Sequence, residues 1–565
     1  MSLNNAANIN YLWANLLIEE LVRNGVEYFC CAPGSRSAPL AVAVAENKRA
    51  KSFVHFDERG LAFHALGYIC ATRKPAVLIC TSGTAVANFL PAVIEASKKK
   101  IPLIVLSADR PPELRQTGAM QTIDQVNIFG AYVRWQTDLP CPTEAIKPQF
   151  VLTTVDQAVF RCKGELPGPV HINCMFREPL AATPKKISKE YLQSLKSWVE
   201  TKSPFTIYTH AKPTFVDDDL KQSIELIKKI KNGLIVVGKT NREESDDILK
   251  LAKRLGWPIF PDVSSSLRWG NQHDSIIPYY EKVLKSKMCL KGFKSDGILH
   301  LGGRMTSKAF YDFIEEQKIE HYLMVLNHPL RNDPTHQVSL RVQGPVGEYC
   351  RALKSFLPKY SSRVPLKLCQ DLSQQIHEQF DLEFSKMKEI SEPLIVWVVS
   401  QNIAKDHGLF LGNSMPVRYF DSFTSKDANS IFVQGNRGAS GIDGNIASAV
   451  GFAEGLKQPV TAVLGDLAVL HDLNSLAILK KSRQPIVLIV VNNNGGRIFS
   501  RLPIAQTAPQ FEKFFTTPHG FDFKYAAKMF DIEYLRPETK KEFLDVYKKA
   551  EKSKNSQMIE LQIQN

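Results

Sequence analysis

One segment of the sequence places a carboxylate and several amide side chains at the ends of two apolar runs. Gly465 and Asp466 follow the run VTAVL, and three asparagines (492–494) and Gly495 follow the run PIVLIVV. A carboxylate, an amide oxygen and a backbone carbonyl are hard ligands that suit Mg²⁺ or Mn²⁺ in contact with phosphate oxygens. Asp and Asn-Gly are also common turn residues. The segment alone is therefore compatible with a metal–diphosphate site and with ordinary turns.

The two apolar runs have the length of buried strands, and a helical pattern lies between them. We expect that helix to begin near Asp472. Parallel strands joined by a helix end at the same edge of their sheet, and ligands bind in the crevice beyond that edge. The sequence therefore predicts that Asp466 and the asparagines lie close together.

Apolar runs of strand length alternate with helical patterns along most of the chain. Such alternation predicts parallel sheets covered by helices on both faces. We therefore predict an α/β protein with three doubly wound parallel-sheet domains. Their boundaries are placed at residues 1–185, 205–350 and 385–565, and the segments at about 177–213 and 341–392 are expected to be irregular.

The composition indicates a soluble globular protein. Hydrophobic residues make up 44% of the 565 residues and charged residues 23%, close to the average for globular domains. The formal net charge is +14, but the lysine clusters are short, dispersed and without a nucleic-acid-binding motif. We expect neither a nucleic-acid nor a membrane partner. The ten cysteines lack metal or disulfide spacing, and no secretory signal is recognised, so we expect a cytoplasmic location.

The segment from Gly465 to Gly495 resembles the diphosphate-binding motif of thiamine-diphosphate-dependent enzymes. The resemblance implies that Asp466, Asn493 and the carbonyl of Gly495 bind Mg²⁺ or Mn²⁺, although Leu467 replaces the usual third glycine. It also implies that Glu58, in FVHFDERG, is the catalytic glutamate, whose carboxyl favours the reactive tautomer of the aminopyrimidine ring. Without the motif at residues 465–495, Glu58 could be an ordinary acidic residue in a first helical turn, where a negative charge interacts favourably with the helix dipole.

Six sequence blocks narrow the resemblance further. They are PGSRSAPL (33–40), TSGTAVANFLPAVIEA (81–96), ADRPPEL (108–114), NRGASGIDG (436–444), GDL (465–467) and NNNGGRIFSRLP (492–503). In this order they closely resemble the 2-succinyl-5-enolpyruvyl-6-hydroxy-3-cyclohexene-1-carboxylate synthases of menaquinone biosynthesis. The resemblance implies that 2-oxoglutarate is decarboxylated and that the resulting succinyl carbanion equivalent adds to isochorismate by conjugate addition. Both substrates are dicarboxylic acids, which arginine forks bind with paired hydrogen bonds.

The resemblance also implies particular binding residues. Ile442 would be the apolar prop that holds the cofactor bent, although it could equally be a core residue. The residues expected to contact the cofactor are Glu58, Thr81, Gly83, Gly441, Ile442, Gly465, Asp466, Leu467, Asn493, Gly495, Ile498 and Phe499. The residues expected to bind substrate are Ser35, Arg36, Arg110, Gln121, Lys308, Ser414, Arg418, Arg437, Phe499 and Leu502.

Two positions depart from the family pattern. Met120 stands where an asparagine is usual, and Ala309 stands where an arginine is common. Both changes remove polarity near the expected substrate, which bears on substrate affinity. The alternatives are another thiamine-diphosphate 2-oxo acid decarboxylase, an acetolactate-type synthase, or a cofactor-binding protein without turnover. The resemblance further implies a homodimer or a dimer of dimers, with each cofactor between Glu58 of one subunit and the Asp466 segment of another.

Overall fold

The computed structural model describes residues 6–211, 214–286, 294–317, 319–358 and 364–563. Across these ranges the named strands form three sheets, and every pairing between them is parallel. Helices cover the sheets, and the central strands are buried along their whole length, as strands between two helical layers must be. The prediction of an α/β protein with three parallel sheets is confirmed.

The first unit is a six-stranded sheet in the order β2-β1-β3-β4-β6-β5. Its strands are β1 (Tyr28–Cys31), β2 (Lys51–Val54), β3 (Ala76–Cys80), β4 (Leu103–Asp109), β5 (Trp135–Leu139) and β6 (Val170–Met175). Its helices are Ile9–Arg23, Ala38–Glu46, Glu58–Thr72, Thr84–Ala87, Leu90–Lys99, Gln149–Lys163, Lys189–Gln193 and Lys196–Val199.

The second unit is a five-stranded sheet in the order β11-β10-β9-β7-β8. Its strands are β7 (Gly233–Val237), β8 (Ile259–Pro261), β9 (Gly297–Leu301), β10 (His321–Leu326) and β11 (Leu340–Gln343). Its helices are Asp217–Lys229, Ser245–Leu255, Tyr280–Lys285, Lys308–Gln317 and Val346–Phe356, and the long helix Val364–Lys386 leads to the third unit.

The third unit has six strands in the order β13-β12-β14-β15-β17-β16, which repeats the connectivity of the first unit. Its strands are β12 (Gly408–Leu411), β13 (Phe432–Gln434), β14 (Val460–Gly465), β15 (Ile486–Asn492), β16 (Glu533–Leu535) and β17 (Gln557–Gln562). Its helices are Glu392–Asn402, Met415–Phe423, Asn445–Leu456, Asp466–His471, Leu476–Lys480, Ile504–Thr507, Lys524–Met529 and Lys540–Ala550.

The two outer units pack against each other through a pair of glycine-containing helices, Glu58–Thr72 and Asn445–Leu456. A Cβ atom on Gly67 would lie 2.0 Å from the carbonyl oxygen of Ser448, and one on Gly451 would lie 1.9 Å from that of His64. Larger side chains at either glycine would push the helices apart. The close approach brings the outer units into one continuous apolar core.

Three expectations about secondary structure were wrong. The segment at 177–213, expected to be irregular, contains the short helices Lys189–Gln193 and Lys196–Val199. The helix after β14 begins at Asp466 rather than near Asp472, because a carboxylate is favourable in a first helical turn. The segment at 341–392, expected to be irregular, contains the helices Val346–Phe356 and Val364–Lys386. In the second of these helices, Leu366, Cys369 and Leu372 are buried along one face. Their spacing of three residues is typical of a helix, although the segment as a whole is charged. No helix within the described ranges is long and apolar enough to cross a membrane.

Candidate active site

A pocket of about 710 Å³ lies at the carboxyl edge of the third sheet, against the second unit. The second unit contributes Arg304, Met305, Tyr311, Glu315, Pro334 and Thr335 to its wall. From the second unit the sequence predicted only Lys308 as a substrate-binding residue, and these residues were not predicted. The pocket brings together many of the predicted site residues: Ser414, Arg418, Arg437, Ile442, Gly465, Asp466, Leu467, Asn493, Gly495, Ile498 and Phe499.

Asp466 begins a helix immediately after β14, and its side chain is buried. Its Oδ1 accepts a hydrogen bond from the Leu467 N–H at 2.7 Å. Its Oδ2 accepts the Gly495 N–H at 2.9 Å and lies 3.1 Å from Nε2 of His519. Nδ1 of His519 accepts the Phe521 N–H, so Nε2 carries the proton of the neutral ring and donates it to Asp466. A carboxylate has about four acceptor sites, so this one retains capacity for a cation.

Asn493 follows β15 and lines the pocket, and its side-chain oxygen is unpaired. Its Nδ2 donates to Oε1 of Glu392 at 2.6 Å. Its Oδ1 is buried and has no hydrogen-bond partner among the described residues. A buried acceptor without a partner costs roughly 1–3 kcal/mol, and native structures retain few of them. A metal ion bound beside Asn493 could therefore use the unpaired Oδ1 as a ligand.

Gly495 occupies a backbone conformation that only glycine adopts easily, with φ +123°. A Cβ atom here would lie 2.2 Å from the carbonyl oxygen of Thr516. The Gly495 carbonyl accepts the Arg497 N–H at 2.9 Å, which leaves one lone pair free. Within the described ranges, no group of three or more His, Cys, Asp or Glu residues could hold a metal. A divalent ion here would need the amide and carbonyl oxygens beside Asp466, a donor set that suits Mg²⁺ or Mn²⁺.

Four arginines belong to the pocket wall: Arg304, Arg418, Arg437 and Arg497. Arg437 donates to Oδ1 of Asn413 at 2.9 Å, and Arg418 donates to the carbonyl of Ser414 at 2.5 Å. Burial lowers the pKa of Arg437, as do the nearby charges of Arg304 and Arg418. Arginine nevertheless stays protonated in proteins, so this wall is cationic and suits a substrate with carboxylates. Ser414 has φ +69°, a conformation unusual for a residue other than glycine, and such residues often cluster at functional sites.

Sequence reasoning missed several residues of this site. Arg304 follows the carboxyl end of β9, and Asn413 follows that of β12, so position at a strand end was the available signal. His519 gave no such signal, because its contact with Asp466 depends on the folding of a long loop. Lys308 was predicted to bind substrate, but its side chain is exposed, and its ammonium pairs with Asp312 at 3.0 Å outside the pocket wall.

A second group of predicted residues lies at the carboxyl edge of the first sheet. Arg36 is buried, donates to the carbonyl of Phe176 at 2.9 Å and pairs with Glu178 at 3.2 Å. Arg110 donates to the carbonyl of Met120 at 2.9 Å. The members of this group follow β1 to β4 and are absent from the described wall of the pocket: Ser35, Arg36, Glu58, Thr81, Gly83, Arg110 and Gln121. Gly441 and Leu502 likewise lie outside that wall.

Glu58 is half-buried at the start of its helix, where Oε2 accepts a hydrogen bond from Nδ2 of Asn88 at 3.3 Å. Its neighbours touch the third unit. Asp57 accepts from Nδ2 of Asn474 at 3.0 Å, and Arg59 donates to the carbonyl of His471 at 2.6 Å. Within one chain, Glu58 therefore lies against the third unit but away from the pocket.

Family models cover most of the chain. Residues 13–128 match the model described as thiamine pyrophosphate enzyme, N-terminal TPP binding domain. Residues 189–411 match the middle domain of thiamine pyrophosphate, and residues 414–561 match the thiamine pyrophosphate enzyme, C-terminal TPP binding domain. With three parallel sheets and a pocket at the carboxyl edge of the third, the protein is a thiamine-pyrophosphate, or thiamine-diphosphate, enzyme.

Comparison with curated proteins narrows the family. The chain is 43% identical to 2-succinyl-5-enolpyruvyl-6-hydroxy-3-cyclohexene-1-carboxylate synthase from Rubrobacter xylanophilus, over 96% of this chain and 93% of that protein. It is 41% identical to the synthase from Salinibacter ruber, over 98% and 94%. It is also 40% identical to the chloroplastic protein PHYLLO from Arabidopsis thaliana, over 96% of this chain and 34% of that longer protein. The chain belongs to the 2-succinyl-5-enolpyruvyl-6-hydroxy-3-cyclohexene-1-carboxylate synthase family, as the sequence blocks predicted.

Proposed function

We propose that this enzyme decarboxylates 2-oxoglutarate and adds the succinyl group to isochorismate, as a step of menaquinone biosynthesis. The observation that carries the proposal is that Arg418 and Arg437 line the same pocket as Asp466 and Asn493. Two dicarboxylic substrates need several such cations. A small monocarboxylic 2-oxo acid would not, which disfavours an acetolactate-type synthase.

Asp466, Asn493 and the Gly495 carbonyl would hold Mg²⁺ or Mn²⁺, and through it the diphosphate of the cofactor. The unpartnered Oδ1 of Asn493 and the free lone pair of Gly495 support this assignment. Gly441, Gly465 and Leu467 would contact the cofactor beside them, and Ile442 would support it. When bound, thiamine diphosphate supplies the electron sink that permits loss of carbon dioxide and formation of a carbon–carbon bond.

The substrates would lie between this cofactor and the arginines. Arg418 and Arg437 bind carboxylates, while Ile498 and Phe499 form an apolar wall that limits water near the reacting carbon. Leu502, outside the pocket wall of one chain, would extend this apolar surface. Ser414 orients the substrate from its strained position. Lys308 would require its ammonium to leave Asp312, which makes it the weakest of the proposed ligands.

A partner subunit would complete the site. We propose a homodimer or a dimer of dimers in which the partner brings its carboxyl-edge cluster to this pocket: Ser35, Arg36, Glu58, Thr81, Gly83, Arg110 and Gln121. Glu58 would then hold a proton at the pyrimidine nitrogen. The absence of first-unit residues from the described pocket wall supports this arrangement, as do Val54 and Phe56, which are 62% and 61% exposed beside Glu58.

An absorbance assay tests the proposed reaction. Purified protein is incubated with thiamine diphosphate, Mg²⁺, 2-oxoglutarate and isochorismate, and the loss of isochorismate is followed. We expect a loss that requires both the cofactor and 2-oxoglutarate, with each omitted in turn as the control. Decarboxylation of pyruvate without loss of isochorismate would favour another 2-oxo acid enzyme. Cofactor binding without any turnover would favour a binding protein.

A further inference from the structure

The loop at residues 436–444 carries part of the pocket and is held from outside its own unit. Arg437, Ser440 and Ile442 line the pocket. From the second unit, Arg304 donates to the carbonyl of Arg437 at 2.6 Å and to Oγ of Ser440 at 2.9 Å. The direction of the Arg437 guanidinium therefore depends on how the backbone around it is fixed.

The first unit contributes a buried carboxylate to this loop. Glu95 lies in the helix Leu90–Lys99 and is 2% exposed. Its Oε1 accepts the Gly438 N–H at 2.7 Å, and its Oε2 accepts the N–H groups of Ala439 at 2.6 Å and Ser440 at 3.4 Å. Hydrogen bonds from successive amides to a carboxylate are charge-assisted and fix the direction of each peptide.

Two more contacts tie the same helix to the loop. A Cβ atom on Gly438 would lie 2.6 Å from the carbonyl oxygen of Glu95, so the close approach requires glycine at this position. The ammonium of Lys99 donates to the carbonyl of Gly435 at 2.6 Å. The helix Leu90–Lys99 therefore contacts the chain on both sides of Arg437, at Gly435 and at Gly438.

We propose that Glu95 is a positioning residue that fixes the backbone of residues 438–440 and thereby aims Arg437 and Ile442 into the pocket. Glu95 itself lies outside the described pocket wall and acts through the loop. The inference rests on the proposed function for the role of Arg437 as a ligand of substrate carboxylates. It gives the first unit a task within its own chain, separate from the contribution of Glu58 to a partner's pocket.

Hydrogen exchange tests the structural part of the inference without reference to any reaction. Glu95→Gln keeps the shape of the side chain but turns an amide NH₂ toward backbone N–H donors. We expect the amides of residues 438–440 to exchange about tenfold faster in this variant, because charge-assisted bonds that protect them are lost. Asp296→Asn is the matched control, since Asp296 accepts the N–H groups of Lys231 and Asn232 at 2.8 and 2.7 Å in the second unit.

Steady-state kinetics tests the positioning part. In Glu95→Gln we expect KM to rise about tenfold for one of the two substrates, 2-oxoglutarate or isochorismate, while kcat changes less. The physical reason is that a misdirected Arg437 would weaken binding of the substrate and of the transition state by about the same amount, which raises KM and leaves kcat little changed. Asp296→Asn should leave both KM values unchanged. In an Arg437→Ala background the effect of Glu95→Gln should largely disappear, since the two residues act in one chain of contacts.

The outcomes separate the inference from the proposed function. Unchanged exchange at residues 438–440 overturns the inference whatever reaction the enzyme performs. Faster exchange with unchanged KM values also overturns it, because Glu95 would then stabilise the loop without positioning Arg437. Wild-type protein that consumes neither substrate would overturn the proposed function, and the exchange measurement would still decide whether Glu95 fixes the loop.

Discussion

Among the described residues that line the pocket, Asn493 alone has a buried side-chain polar atom without a hydrogen-bond partner. Its Oδ1 is buried and unpaired while its Nδ2 is bonded to Glu392. Neighbouring Asp466 already accepts hydrogen bonds on both oxygens. Binding of a metal beside Asn493 would therefore give its Oδ1 the partner that it lacks.

Asn493→Ala should separate metal binding from folding. Without Mg²⁺ and thiamine diphosphate the melting temperature should fall only modestly, because the lost oxygen had no partner and the variant loses one hydrogen bond, from Nδ2 to Glu392. The apparent Mg²⁺ affinity, measured by calorimetric titration in the presence of thiamine diphosphate, should fall at least about tenfold. The matched variant Asn402→Ala removes an amide that donates only to the carbonyl of Val398 and should retain wild-type affinity. Equal affinities in the two variants would contradict the metal assignment.

Glu58→Gln should nearly abolish turnover and leave the fold intact. The amide keeps the shape of the side chain but cannot supply a proton to the pyrimidine nitrogen, and general acid–base groups contribute about 10²–10⁴-fold to rate. Turnover of isochorismate and circular dichroism are the two measurements. Glu542→Gln, another acidic residue in a first helical turn, is the control. Wild-type turnover in Glu58→Gln would refute the assigned role.

At the scale of elements, the helix pair Glu58–Thr72 and Asn445–Leu456 joins the outer units, and the proposed catalytic residue Glu58 lies at one of its ends. The pair depends on Gly67 and Gly451, whose missing side chains let each helix approach a carbonyl of the other. Helix packing at this distance tolerates no added carbon without backbone movement.

Gly451→Ala should therefore destabilise the enzyme by about 2 kcal/mol, the usual cost of overpacking a core. The free energy of unfolding in urea measures it. Gly164→Ala is the control, because a Cβ atom there meets its nearest neighbours at 3.5 Å and φ is −59°. An unchanged free energy in Gly451→Ala would show that the helices can separate at no cost.

At the scale of the whole molecule, the pocket of one chain has its proposed metal ligands but lacks Glu58. Subunit mixing tests whether a partner supplies it. Glu58→Gln and Asp466→Asn should each be inactive alone. When the two are unfolded and refolded together, half of the dimers are mixed and each mixed dimer has one intact site, so roughly a quarter of wild-type activity should return. Absence of recovery, with mixed dimers demonstrated by differently tagged chains, would place both residues in one chain.

The sequence by itself determined the class of fold and the family. Alternating strand and helix patterns reflect local burial on two faces of a sheet, so they predict three parallel units without knowledge of their packing. The six blocks include the segments that carry Asp466, Asn493 and Arg437. The spacing of Leu366, Cys369 and Leu372 would also have predicted the long helix that was missed, since a buried stripe persists within a charged segment.

Only the tertiary structure decided which residues meet. Arg304, Asn413 and His519 reach the pocket or its carboxylate from three distant parts of the chain. Glu95 touches residues more than 340 positions away. These contacts depend on how the units pack on one another, and a local pattern of apolar residues carries no information about that packing. The sequence resemblance predicted a catalytic role for Glu58 but could not show where Glu58 lies. In the structure of one chain, Glu58 lies outside the pocket.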